Sequence, residues 1–306
     1  MPNKFIRTHK KEFRLSYCGL DHDRVDSMVR SQWQTRSKSN LFLLFRWTIA
    51  AIAIATVIIS MYQHLEKWNF GLFFIYLTHW GIMLNMIVGI FGAVLVTAWH
   101  YHADFQDNVI NTNEMPTSFK IYWALHNIAL ISSLVITIIY WAILHPNSNY
   151  AITASNVLSH AINSVIMIVD ILIVAYPLRL LHVIQPIGFG VIFGIFSYIY
   201  YICGGVNIKG EHFIYNVLDW SKPDKAMITV FGTLVLSFIV HIILFWVYKL
   251  RVSIQRHFIG TEMILPTSKS DKHLNRSLDS QISMVFGGND GCTNNAFKAN
   301  TDKTNS

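Results

Sequence analysis

Among the polar or ionisable side chains inside long apolar runs of this chain, the candidates for chemistry are Thr78, His79, Asn85, His126, Asn127, His160, Asn163, Ser164, Asp170 and His241. Such residues are costly in a bilayer. Each is therefore a candidate for proton transfer, ligand binding or metal ligation, set against the plainer role of hydrogen bonding between helices. Helical spacing sorts them. Thr78, Gly81, Asn85, Gly89 and Gly92 follow steps of 3 and 4 and form one small-and-polar stripe. His160, Asn163, Met167 and Asp170 form a second stripe, on which Met167 reads as packing. Counting helical rise from the outer ends of their runs puts Thr78 and Asn163 at similar depths, roughly 12–17 Å below the boundary, so the two stripes are expected to meet. Asn85, Asn127 and Ser164 read as interhelical hydrogen-bond partners. A carboxyl as deep as that of Asp170 needs a partner or a proton, and Arg179 is the cation expected to supply the pairing. A proton-relay or small-solute transport role centred on Asp170 is the functional alternative.

Metal and haem chemistry fit these residues poorly. His79 and His160 lie toward the outer side while His126 lies toward the inner side, so only one histidine pair shares a level. His100 and His102 alternate at an interface, which makes them poor co-ligands. The three cysteines, Cys18, Cys203 and Cys292, form neither a metal clip nor a disulfide framework. No metal site and no cofactor are expected.

The elements that must position these side chains follow from composition. Apolar residues make up 53% of the 306 positions and charged residues 13%, about half the roughly 25% of a soluble domain. Of 24 Lys and Arg, 10 fall in residues 1–46 and 8 from Lys249 onward, leaving 6 between. An all-α polytopic membrane protein is the fold class this predicts. Six runs reach the ~20 residues a crossing needs: Leu44–Met61, Phe70–Ala98, Phe119–Leu144, Ile152–Tyr176, Val183–Cys203 and Ala226–Tyr248. Three parts follow. Residues 1–43 form a basic N-terminal segment, 44–250 a six-helix transmembrane domain, and 251–306 a mostly disordered tail rich in Ser, Asn, Asp, Lys and Gly. The start has no apolar core of a cleavable signal, so targeting is expected from the first span. Lys and Arg flanking the spans favour cytoplasmic termini, although the internal loops alone weigh the other way. On that orientation the Asn275-Arg276-Ser277 sequon is silent. Val25, Met28, Val29 and Trp33 read as a short amphipathic helix on the inner leaflet or as a solvated leader. The surplus charge of +7 suits an anionic membrane face rather than nucleic acid.

Several stretches, in order along the chain, resemble the rolling stone family: Ser31–Trp33, YLTHWG (Tyr76–Gly81), HAINSVIMIVD (His160–Asp170), PLRLLH (Pro177–His182), YIYYICGG (Tyr198–Gly205) and FIYNVLDW (Phe213–Trp220). Asn216 departs from the family's proline. The resemblance covers roughly residues 30–250. It implies a six-span animal membrane protein, linked through the family's name to insect myoblast fusion, with no established reaction. That family is in turn similar to the androgen-induced and androgen-dependent transmembrane hydrolases of fatty-acid esters. By that likeness Thr78 occupies the nucleophile's place and His160 matches the first histidine of a two-histidine motif. Asn163 stands where the catalytic histidine should be, and an amide cannot take a proton from threonine.

Two functional expectations result. The first is a non-catalytic protein of cell–cell fusion, adhesion or membrane organisation in the plasma or endoplasmic-reticulum membrane. Its contact surface would be the outer loop 204–225, with Phe213, Tyr215 and Trp220, and its partner another membrane protein. The second is a lipid-ester hydrolase with a fatty-acid ligand, Thr78 as nucleophile, His160 as base and Asn163 orienting the substrate. Whether the chain is an enzyme turns on Asn163.

Overall fold

A computed structural model describes residues 12–13, 15–65, 70–111, 115–146 and 154–259. The expected disordered tail beyond 259, with its sequon at Asn275, lies outside the described residues. The helices are α1 (Asn40–Leu65), α2 (Leu77–Tyr101), α3 (Ala103–Asn111), α4 (Thr117–Ile139), α5 (Asn163–Ile173), α6 (Ile184–Ile202) and α7 (Pro223–Ile259). A π-helical turn, Tyr140–Leu144, extends α4. Another, Leu158–Ile162, leads into α5 from the single α-turn Ala154–Val157. Among the described residues the extended pairing is one isolated antiparallel bridge, Ser31 with Val174.

Five helical stretches are long and apolar enough to cross a membrane: Asn40–Leu65, Leu77–Tyr101, Thr117–Leu144, Leu180–Ile202 and Pro223–Phe258. The remaining expected span is a shorter apolar helix, Leu158–Ile173. Helix α4 packs against α2, α5, α6 and α7, and its sequence explains why. Tyr122, Trp123, His126, Asn127, Ala129, Leu130, Ile131 and Ser133 are buried on every side of it, as expected of a helix that is apolar all round. Start signals are local. The backbone N–H groups of His79 and Trp80 donate to the carbonyl of the extended Tyr76. Pro223 occupies the first turn of α7, where its missing N–H costs nothing, and Asp219 accepts from Ser221 just upstream.

Three expectations change. The run from Phe70 is not one helix: Phe70–Ile75 forms a 3-10 turn and α2 starts at Leu77. Thr78 thus lies in the first helical turn, and counting rise from Phe70 overstated its depth. Segment Val25–Val29 is a 3-10 turn with Met28 and Val29 only 1% and 2% exposed. It packs into the bundle's main core rather than lying on a leaflet. Helix α7 continues to Ile259, beyond position 250 where the bundle was expected to end.

The N-terminal segment has a further task. The last carbonyls of α5 have no helical partner. Arg251 of α7 donates to Ile171 O, Trp33 Nε1 to Leu172 O at 2.8 Å, and Gln32 N to Ile173 O at 2.8 Å. Ser31 Oγ also donates to Ile173 O at 3.0 Å. A guanidinium and an indole at a helix C-terminus also suit its partial negative charge.

The small residues of α2 set its spacing from its neighbours. A Cβ at Gly89 would lie 3.2 Å from Ala50 Cα on α1, a backbone atom that cannot swing away, whereas one at Gly188 would meet nothing within 4 Å. Gly89→Val should therefore cost about 1–3 kcal/mol and lower the thermal midpoint of the detergent-purified protein, read by tryptophan fluorescence. Gly188→Val should leave it nearly unchanged; equal midpoints would refute the close approach of α1 and α2.

Candidate functional site in the membrane core

The polar residues of α2, α4 and α5 converge on two connected clusters. Helix α4 and the π-helical turn that extends it present His126, Ser133, Thr137 and Tyr140 at steps of 7, 4 and 3, which share one face. The facing side of α5 and its leading turn carries His160, Asn163, Ser164, Met167 and Asp170.

In the first cluster Asp170 is held from two sides. Arg46 Nη1 of α1 donates to Oδ1 at 2.8 Å, and His126 Nε2 of α4 donates to Oδ2 at 2.6 Å. An ionised carboxylate only accepts, which fixes Nε2 as the protonated nitrogen. All three residues are 2% exposed or less. Aromatic rings close the surroundings. The Arg46 guanidinium lies 5.1 Å from the Phe42 ring centroid, and Tyr176 sits edge-on to His126 at 5.0 Å. Tyr122 and Tyr176 share a hydroxyl–hydroxyl hydrogen bond of 3.2 Å.

Arg179 is therefore not the partner of Asp170, as its sequence proximity suggested. The chain bends after Ile173, and Arg179 instead donates to the carbonyls of Gly19 at 2.7 Å and Asp21 at 2.5 Å. Its guanidinium packs between the rings of Tyr17 and Trp123, at 4.9 and 4.8 Å. Arg46 escaped sequence reasoning because it was counted as a flanking cation. Its signal was its place inside the helical stretch, six residues after Asn40.

The second cluster joins the two stripes. Asn85 Nδ2 donates to Ser133 Oγ at 2.8 Å and to Asn163 Oδ1 at 2.5 Å. Ser164 Oγ donates to Ser133 O at 2.8 Å, and Thr137 bonds both Ser164 and the carbonyl of His160. The stripes meet, but through Asn85 rather than Thr78. The His160 ring lies flat on Tyr140, centroids 3.5 Å apart. His79 likewise stacks on Phe73 at 3.9 Å, with Nδ1 2.5 Å from Phe73 O. Asn127 reaches Gln185 and the carbonyl of His182, and His241 lies 3.0 Å from Arg179 O.

Thr78 lies elsewhere. It lines an apolar cavity of about 70 Å³ with Tyr140, Gly190, Gly194, Tyr215 and Thr233. His160 and Asn163 do not line it. The Tyr215 phenol, which lines this cavity with Thr78, accepts from Leu77 N at 2.9 Å. Burial pushes the Tyr215 phenol well above its usual pKa, so it stays protonated and cannot serve as a base. Thr229 and Thr233 spend their hydroxyls on backbone carbonyls. The arrangement is thus a packed polar seam beside a small greasy cavity. Among the described residues no cluster of His, Cys, Asp and Glu suits a metal ion.

In the loop between α6 and α7, Trp220 and Tyr215 face the bundle. Trp220 Nε1 donates to Ser197 Oγ at 3.1 Å and its ring meets Tyr198 edge-on. Phe213 is half-buried.

Comparison with known proteins gives a consistent answer. A family model described as "Protein rolling stone" matches residues 1–263. The protein rolling stone of Drosophila melanogaster is 34% identical over 260 residues, covering 83% of this chain and 94% of that protein. No solved structure matches.

The Arg46–Asp170 pair makes a stability prediction. Asp170→Leu leaves a buried guanidinium without its counter-charge and should cost about 3–5 kcal/mol. Adding Arg46→Met should recover part of that loss, read as the thermal midpoint in mild detergent. If the double variant is no more stable than Asp170→Leu, the two residues are not energetically coupled.

Proposed function

The chain belongs to the rolling stone family, and we propose that it is a multi-pass membrane protein that acts at cell–cell contacts, in fusion or adhesion, through the folded loop between α6 and α7. One observation carries this reading: the loop is a built platform. Tyr200 Oη donates to Val206 O at 2.8 Å, and Asn207 N donates to Glu211 O at 2.8 Å across a turn with Gly210 at a φ of +79°. Thr229 Oγ1 of α7 donates to Val217 O at 2.6 Å. Tyr215 and Trp220 tie the platform down as described above. Their part in recognition is to hold the surface, not to form it.

What that platform exposes is polar: Lys209, Glu211, His212, Lys222, Asp224 and Lys225 are all exposed. An ordered loop on a rigid bundle with a charged rim suits recognition of another protein's surface, since fixed charges select partners without paying to order the loop on contact. In this reading Asp170 is a structural carboxylate, locked by Arg46 and His126, and Thr78, His160 and Asn163 serve packing.

The test is cell mixing between cells expressing the protein at equal surface density. Lys209→Glu with Lys222→Glu should lower mixing several-fold while leaving the thermal midpoint of the protein unchanged. Trp220→Ala should lower both, because it removes an anchor. Unchanged mixing with the charge-reversed rim, or an epitope inserted at Gly210 that antibodies cannot reach on intact cells, would end this proposal.

A further inference from the structure

At the far end of α7 from that loop, a polar cavity of about 220 Å³ opens beside the C-terminus of α5. Its walls come from segments distant in sequence: residues 22–34, the bend at Ala175 and Pro177, and the last turns of α7 from Tyr248 to Arg256. Three guanidinium groups line it, those of Arg24, Arg30 and Arg256. One buried carboxylate answers them. Asp26 is 3% exposed, lies 2.6 Å from Arg30 and 3.7 Å from Arg24, and is thereby largely spent on Arg30. Arg24 Nε is buried and has no hydrogen-bond partner among the described residues. Arg256 enters no ion pair among them. Three arginines and no carboxylate line the cavity, and with Asp26 spent on Arg30 and Asp23 exposed, positive charge is in surplus in a partly enclosed space.

The neighbours favour an anion as well. Burial, followed by the nearby charge of Arg179, lowers the His22 pKa to about 4, against the opposing pull of Asp23 and Asp26. His22 therefore adds a neutral imidazole that can donate or accept. Gln32 and Gln255 add amide groups to the lining. The cavity's height in the fold is set by Trp33, whose indole caps Leu172 at the end of α5 and is itself 39% exposed, the usual station of tryptophan at a membrane boundary. Just beyond, Leu172, Ile168, Leu250 and Ile254 expose apolar side chains.

We propose that this cavity binds a phosphate-bearing anion, the headgroup of an anionic lipid in the adjoining leaflet, with Arg24 and Arg256 as its principal ligands. Arginine suits the task because its planar fork donates two parallel hydrogen bonds to phosphate oxygens. A lipid so held places its phosphate in the cavity and its acyl chains along the exposed apolar side chains of α5 and α7. A soluble phosphate compound offers the same recognition chemistry without the chains. The proposal is independent of the loop's role, since it concerns the opposite end of α7 and is read by binding alone.

Native mass spectrometry of the full chain released from neutral detergent tests it, with a phosphatidylinositol phosphate as probe and phosphatidylcholine as control. The wild type should retain the anionic lipid preferentially. Arg24→Gln with Arg256→Gln should reduce that occupancy about tenfold or more, given roughly a kcal/mol per basic residue at such a surface. Arg256→Gln alone, at an exposed position where folding is not at stake, should reduce it several-fold. Arg36→Gln, exposed and outside the cavity, should bind as the wild type does. Resistance of the bound lipid to millimolar inorganic phosphate assigns the site to a lipid headgroup; its displacement assigns the site to a soluble phosphate compound. Wild-type selectivity in both Arg256→Gln and the folded double variant would overturn the proposal.

Discussion

A single carboxylate governs the interior of this protein. Asp170 lies in a short apolar helix with 2% of its surface exposed, where an unpaired charge would cost several kcal/mol. It is tolerable only because α1 delivers Arg46 and α4 delivers His126 to its two oxygens. That requirement fixes three helices relative to one another in rotation as well as in height. A slip of one residue in any of them would carry its side chain about 100° around the helix and leave a buried charge alone. Aromatic rings around Arg46 and His126 then complete the enclosure.

The second dependence runs through the end of α5. This helix is shorter than its neighbours, and its final carbonyls open toward the bundle's end. They are met by Arg251 and by a segment near the N-terminus that is not itself a spanning helix. The N-terminal segment is thus part of the fold: Met28 and Val29 join the core, and the Arg30 carbonyl accepts from Ala175 N. Its basic character also walls one side of the polar cavity at that end.

The two ends of α7 differ accordingly. One begins at a proline beneath an ordered loop that turns Tyr215 and Trp220 inward and most of its charges outward. The other carries Arg251 into the bundle and Arg256 to the cavity's rim. Between them, α7 contributes Thr229 and Thr233 to the small cavity beside Thr78, but both hydroxyls turn back to backbone carbonyls. The interior therefore offers little polar chemistry beyond the seam itself, and the exposed polar surfaces lie at the ends, which is where the proposed interactions are located.

Much of this architecture was legible in the sequence. The helical class, five of the six expected spans, the convergence of the α2 and α5 stripes, and the family all followed from apolar run length, a period of 3.6 and short ordered motifs. These are local properties, because a bilayer forces each run to satisfy its own backbone hydrogen bonds. Pairing between runs was not legible. Arg179 was nearest to Asp170 in sequence, yet Arg46, 124 positions away, is its partner. Asn85 rather than Thr78 reaches Asn163, because the run from Phe70 breaks at Tyr76 and shifts the helical count. Tyr215 and Trp220 turned inward, and Met28 and Val29 entered the core. The sequence by itself determined which segments become helices and which residues are too polar to face lipid. Only the tertiary structure decided which of those residues meet, since rotation and height between helices depend on packing and charge pairing summed over the whole bundle.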